Sequence, residues 1–164
     1  MTHYSRAQKP HQLWPNALSL AAAVIKEFKK KKAIPVLSYQ GFSGAASATA
    51  LMLAIRQLDN EFPFIMCYVR KEEEKKNHSG GNNHEWEPVG ILPDWPWVGL
   101  FVDDLISTGE TFRQVAKVAK DLRTSYEHTG VQRKTVIWDE NTLMAGLNYP
   151  DEGLKNIGKT WRRR

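Results

Sequence analysis

The densest chemistry in the sequence lies between Gly99 and Thr111, GLFVDDLISTGET, where an apolar run delivers two adjacent carboxylates and a hydroxyl-rich turn follows. The carboxylates are Asp103 and Asp104. Ionised, they are pure acceptors, and a neighbouring pair can take hydrogen bonds from two vicinal hydroxyls such as those of a ribose. Ser107, Thr108, Gly109, Glu110 and Thr111 then place hydroxyls and a glycine at the start of a predicted helix. Backbone N–H groups point outward there and the helix dipole favours an anion, which suits a phosphate. A diol site one turn away from a phosphate site describes ribose 5-phosphate. An acidic strand end that only caps a helix would explain neither the doubled carboxylate nor the hydroxyls.

Two further segments carry polar chemistry. Ser38 to Gly44, SYQGFSG, is a glycine-containing turn after an apolar run, and small residues let a main chain approach a polyanion closely. Val69 to Gly81, VRKEEEKKNHSGG, supplies cations and a histidine in a polar stretch.

The apolar strand, acidic pair and threonine-glycine turn resemble the signature by which type I phosphoribosyltransferases bind 5-phosphoribosyl 1-pyrophosphate. The Val69 to Gly81 segment is similar to the mobile catalytic loop of orotate phosphoribosyltransferase-like proteins, phage-type members included. Together the three segments span most of the chain from Ile34 to Leu122, in family order. The resemblance implies ribose contacts from Asp103 and Asp104, and 5-phosphate contacts from Ser107, Thr108, Gly109, Glu110 and Thr111. It implies pyrophosphate contacts from Tyr39, Gln40, Gly41, Arg70 and Lys71, and catalytic roles for Lys71, Lys76 and His78. It also implies Mg2+, held by Asp103 and Asp104 directly or through water. The sequence departs from the orotate enzymes in the residues between Lys71 and Lys76, which include Glu72, Glu73 and Glu74.

The activity implied is transfer of ribose 5-phosphate from phosphoribosyl pyrophosphate to a nucleobase, with release of pyrophosphate. The rival is a non-catalytic regulator on the same fold that binds a phosphoribosyl nucleotide or RNA, since a fold does not fix a function. A homodimer is compatible with the resemblance, and nucleic acid is the lesser of the two anionic partners. Trp138, Asp139 and Glu140 follow the last predicted strand, where purine enzymes of this fold class often carry base contacts.

Alternating elements must hold these residues. Asn16 reads as an N-cap, after which Ala17, Leu20, Ala21, Val24 and Phe28 recur at helical spacing. Ile34 to Tyr39 and Phe64 to Val69 read as buried strands, with a helix between them marked by Thr49, Leu51, Ile55 and Leu58. From Arg70 to Trp97 periodicity lapses into charges, glycines and prolines, which predicts a long mobile loop. Val98 to Val102 is the third strand, a helix runs from about Gly109 to Leu122, and Thr135 to Trp138 is the last strand. The expectation is an α/β fold, a mostly parallel twisted sheet flanked by helices on both faces. It forms one domain over residues 1–164, with 159–164 a basic tail.

Composition narrows the class. The 164 residues, 41% hydrophobic and 25% charged, match a soluble globular chain rather than a disordered or membrane one. A single cysteine, Cys67, implies no disulfide framework, and the cytoplasm is the expected compartment. Lys9 and His11 before the apolar Leu13 to Ile25 imitate a secretion signal, but Pro15 and Asn16 interrupt that run and its helical period continues to Phe28. The net charge of +5 favours anionic partners and includes the lysines from Lys29 to Lys32. Gly153 to Thr160, GLKNIGKT, fits the P-loop pattern, yet Tyr149-Pro150-Asp151 precedes it where a strand is needed. His78, His84 and Glu85 lack the paired spacing of a zinc site.

Overall fold

The computed structural model describes residues 10–75, 83–104, 109–126, 130–148 and 153–156. Helix α1 (Pro10–Lys31) precedes strand β1 (Ile34–Gln40), helix α2 (Gly41–Leu58) and strand β2 (Phe64–Val69). A one-turn helix α3 (Glu72–Lys75) and strand β3 (His84–Val89) lead to β4 (Trp97–Asp103) and helix α4 (Glu110–Ala119). Strands β5 (Asp121–Tyr126), β6 (Gly130–Thr135), β7 (Leu143–Gly146) and β8 (Lys155–Asn156) complete the described elements.

Six strands form one sheet in the order β3-β2-β1-β4-β7-β8, and β5 with β6 forms a separate ribbon. The central four are parallel, with Val36 opposite Ile65 and Gly99, and Asp103 opposite Gly146. The two outer strands run antiparallel. Alternating side chains fill two cores, as a sheet covered on both faces requires. Leu37, Phe64, Leu100 and Val102 pack with Leu20, Val24 and Phe28 of α1 and Leu51 and Ile55 of α2. Val36, Ile65, Cys67 and Phe101 pack with Phe112 and Val115 of α4. The expected α/β architecture, a mostly parallel sheet between helices, is therefore present. Among the described residues no helix is long and apolar enough to cross a membrane.

Several expected boundaries shift. Helix α1 begins at Pro10, so Asn16 lies inside it beside Pro15 rather than at its cap. Leu13 packs against the core and offsets the hydrogen bond that Pro15 cannot donate. The Asn16 side chain instead donates to the Leu147 carbonyl at 2.7 Å. The expected loop from Arg70 to Trp97 contains α3 and the edge strand β3. In β3, His84 is buried and Trp86 half-buried while Glu85 and Glu87 are exposed, a period of two that the flanking charges and prolines obscured. Glutamates and Pro88 fit an edge position, where they discourage further pairing.

The strand expected at Thr135 to Trp138 is not a sheet strand. Thr135 ends the β5–β6 ribbon, and Ile137 makes one isolated parallel bridge to Val98. The strand that continues the sheet is β7, beyond the last strand expected from sequence, because four residues give too little period to detect. Helix α4 ends at Ala119, and Leu122 reaches the same core from β5. Lys155 and Asn156, inside the P-loop-like segment, pair with Met144 and Leu143 as the extended strand β8, and residues 157–160 lie outside the described residues. Residues 159–164 lie outside the described residues.

Candidate active site

The chain passes from β1 to β2 on one side and then returns across β1 to β4 on the other, so the loops leaving β1 and β4 diverge. In open parallel sheets such a reversal opens a crevice at the carboxyl ends of the strands. Asp103 ends β4 at this crevice, with Asp104 next in the chain, and Gln40 and Gly41 leave β1 beside them.

Both acids are buried, with exposures of 8% for Asp103 and 5% for Asp104. Asp103 Oδ1 accepts from the Asp104 backbone N–H at 2.9 Å and from the Ser43 hydroxyl at 3.4 Å. Burial, with the Asp104 carboxylate alongside, pushes the Asp103 carboxyl up to about 7. The backbone carbonyls of Asp103 and Asp104 accept from Leu147 N–H at 2.9 Å and Asn148 N–H at 3.1 Å. The chain leaving β7 therefore lies against the acidic pair, held from behind by Asn16.

Gly41 adopts φ +70°, which turns the chain from the extended Gln40 directly into α2. A Cβ at Gly41 would sit 3.0 Å from Lys71 Cε and 3.2 Å from Lys71 Nζ, so the Lys71 side chain lies across this turn. Gly44 brings α2 close to the sheet: a Cβ there would be 3.4 Å from Tyr39 Cβ and 3.8 Å from the Val102 carbonyl. That close seating lets Ser43 reach Asp103. The Gln40 side chain donates to the Arg70 carbonyl at 3.3 Å and ties the ends of β1 and β2 together.

Beyond β2 the two cations differ. The Arg70 side chain is buried and ion-paired with Glu85 of β3, so its charge is engaged by a carboxylate that the sequence reading did not assign to it. Lys71 is exposed and extends over Gly41. Tyr39 is half-buried with its ring 5.6 Å from that of Tyr68, and burial raises its phenol above the ordinary range.

On the far side of the acids, Gly109 adopts φ 74° and precedes Glu110 and Thr111 in the first turn of α4. The Arg113 guanidinium folds back to this turn, with Nη1 3.6 Å from where a Cβ on Gly109 would lie. The expected residues Tyr39, Gln40, Gly41, Arg70, Lys71, Asp103 and Asp104 thus share one edge of three adjacent strands. Ser107, Thr108, Lys76 and His78 lie outside the described residues.

Sequence reading missed Ser43, Arg113 and the β7 end at Leu147 and Asn148. Arg113 had a usable signal, since a cation four residues after a helix-start glycine lies over that turn. Trp138 has a structural post: its indole covers Gly99, lies 5.8 Å from the Phe112 ring and donates to the Ala119 carbonyl at 3.2 Å. Gly99 is four residues before Asp103, roughly 13 Å along the strand. The positional match of Trp138 to a base contact therefore falls away from the crevice. Asp139 Oδ1 accepts from Asn141 N–H at 2.8 Å, within its own turn.

A separate recess of about 490 Å³ lies between α1 and α2, lined by Leu13, Trp14, Phe42, Thr49, Ala50 and Leu53. It holds no titratable group and lacks the chemistry of the crevice. Among the described residues no group of three or more His, Cys, Asp or Glu side chains is arranged to hold a metal. Two hard carboxylates still fit Mg2+, which is commonly bound by one or two carboxylates together with waters and substrate phosphates. The elevated Asp103 carboxyl marks a spot where a divalent cation would relieve like-charge repulsion. Chemically the crevice offers hydrogen-bond acceptors at its centre, a cation over a glycine turn on one side, and a helix start with an arginine on the other. Comparison with protein-family models, curated proteins and solved structures finds no match for this chain.

Proposed function

We propose that the chain is a cytoplasmic phosphoribosyltransferase of the type I kind. It transfers ribose 5-phosphate from phosphoribosyl pyrophosphate to a nucleobase and releases pyrophosphate. The observation that carries this reading is the buried Asp103–Asp104 pair at the strand-order reversal, flanked by an anion-suited turn on each side. Asp103 and Asp104 accept hydrogen bonds from the two ribose hydroxyls. The Gly109 turn, the start of α4 and Arg113 receive the 5-phosphate. The Gly41 turn and Lys71 face the pyrophosphate.

The bond from the sugar C1 to the pyrophosphate oxygen breaks as the base nitrogen attacks, so positive charge grows on the sugar and negative charge on the leaving group. Lys71, lying over Gly41, opposes the latter, as a cation positioned where negative charge develops does. Mg2+, held by Asp103 and Asp104 directly or through water, would supply further charge neutralisation when bound. The acids orient the ribose, and no covalent nucleophile is required.

Calorimetric titration with phosphoribosyl pyrophosphate and Mg2+, followed by a screen of common bases for pyrophosphate release, tests the reading. Binding that disappears in Asp103→Asn/Asp104→Asn, with turnover on one base, is the expected outcome. Undiminished binding by that double variant refutes the placement of the ribose, and binding without turnover on any base identifies a non-catalytic binder.

A further inference from the structure

Three glutamates follow the two cations beyond β2, and the resemblance gives none of them a role. The structure separates them. Glu72 and Glu73 are exposed, whereas Glu74 is half-buried and folds back on the strand it follows. Its Oε2 accepts from the Tyr68 hydroxyl at 2.7 Å and from the Lys71 backbone N–H at 3.0 Å. The Glu74 N–H in turn donates to the Lys71 carbonyl at 3.0 Å. Lys71 therefore occupies the N-cap of α3 and Glu74 its third residue, and the carboxylate reaching back to the cap N–H is half of a capping box.

That ring of bonds fixes the backbone of Lys71 at the point where the chain leaves β2. The Lys71 side chain extends from there across Gly41, close enough that a single methyl group on the glycine would touch it. Burial raises the Glu74 carboxyl, but the bonds from Tyr68 and Lys71 and the nearby cations outweigh it and hold the group below its ordinary range. Burial and Glu74 push the Tyr68 phenol up to about 12, so Tyr68 stays a donor at working pH.

We propose that Glu74 is a positioning residue: through Tyr68 and the Lys71 backbone it holds the Lys71 ammonium over the Gly41 turn, ready for the pyrophosphate group of the substrate. This rests on the phosphoribosyltransferase reading. A lysine ordered in advance need not be ordered at the moment of binding, and that saving applies only to ligands that carry pyrophosphate.

The test uses the full chain and three probes with Mg2+: phosphoribosyl pyrophosphate, inorganic pyrophosphate and ribose 5-phosphate. Glu74→Ala is expected to weaken the first two about tenfold, the effect of freeing one long side chain, and to leave ribose 5-phosphate unchanged. Glu74→Gln, which keeps an acceptor oxygen, is expected to restore most of the affinity. Equal losses on all three probes, no loss at all, or a glutamine variant as weak as the alanine variant each overturn the assignment. A Glu74→Ala chain that no longer folds also overturns it, because Glu74 would then hold the fold rather than the lysine. Wild-type protein that binds none of the probes removes the underlying reading as well, and this outcome is distinct because it precedes any variant.

Discussion

Replacing Asp103 by asparagine stabilises the ligand-free protein above neutral pH. The folded protein holds this carboxyl at about 7 instead of 3.8, chiefly through burial and then through Asp104. Between those values the folded state keeps a proton that the unfolded chain releases. The stability this contributes is complete below 3.8 and is lost as pH rises through about 7. A gap of roughly three units at about 1.4 kcal/mol each sets a ceiling near 4 kcal/mol. Relaxation and water entry, which raise the effective dielectric constant to about 20, reduce the expected effect to about 2 kcal/mol. Asparagine keeps the oxygen that accepts from Asp104 N–H and the Ser43 hydroxyl, so the contacts survive without the charge. For a chain of this size about 2 kcal/mol corresponds to roughly 4–8 °C in Tm. Thermal melts of both proteins at pH 5 and pH 8.5, with chelator present, should show the full gain at the higher pH and roughly a third of it at the lower. A variant no more stable than wild type at pH 8.5, or one equally stabilised at both pH values, refutes the reasoning.

Hydroxyl donors and a divalent cation favour the ionised pair, so phosphoribosyl pyrophosphate with Mg2+ should release protons on binding near pH 7. Titrations in two buffers of different ionisation enthalpy measure that number, which should fall in Asp103→Asn. Gly41→Ala strains a φ of +70° and pushes against Lys71, so it should cost about 1–2 kcal/mol of stability and weaken inorganic pyrophosphate more than ribose 5-phosphate. Denaturant melts and calorimetry read the two effects. Gly99→Ala drives a methyl into the Trp138 indole and should destabilise by about 1–3 kcal/mol or more, seen in denaturant melts, while a refolded variant keeps ligand affinity because the clash is remote from the acids.

The parts of this molecule legible in the sequence are those with a strong period or a doubled chemical signal. The apolar spacing from Ala17 to Phe28 and the buried runs of β1, β2 and β4 are present where expected, because both faces of the sheet are covered and most strand residues must be apolar. Asp103 and Asp104 stood out because two adjacent acids ending an apolar strand have few structural reasons to exist. The edge strands were obscured for the opposite reason: β3 fully buries only His84, with Trp86 and Val89 half-buried, and its Pro88 and glutamates carry loop composition. Asn16 misled because a good capping residue before a helical period is a local signal. Its actual partner, the Leu147 carbonyl, lies 131 residues away and leaves no trace nearby. Tertiary pairing of that kind, like the Glu74 bond to Tyr68, belongs to the fold and to no window of sequence.

The bond from Asn16 to Leu147 also bears on how the protein is made. Every acid and cation described in the crevice has left the ribosome once Arg113 emerges, yet the carbonyls of Asp103 and Asp104 then still lack the N–H groups of Leu147 and Asn148 that brace them. Helix α1 emerges well before them, and its Asn16 waits for a partner 131 residues later. A growing chain stalled before residue 147 therefore carries the composition of the site without its shape. Ligand added to such a chain has nothing braced to select, and ligand rescue of a folding defect should act only after β7 has docked.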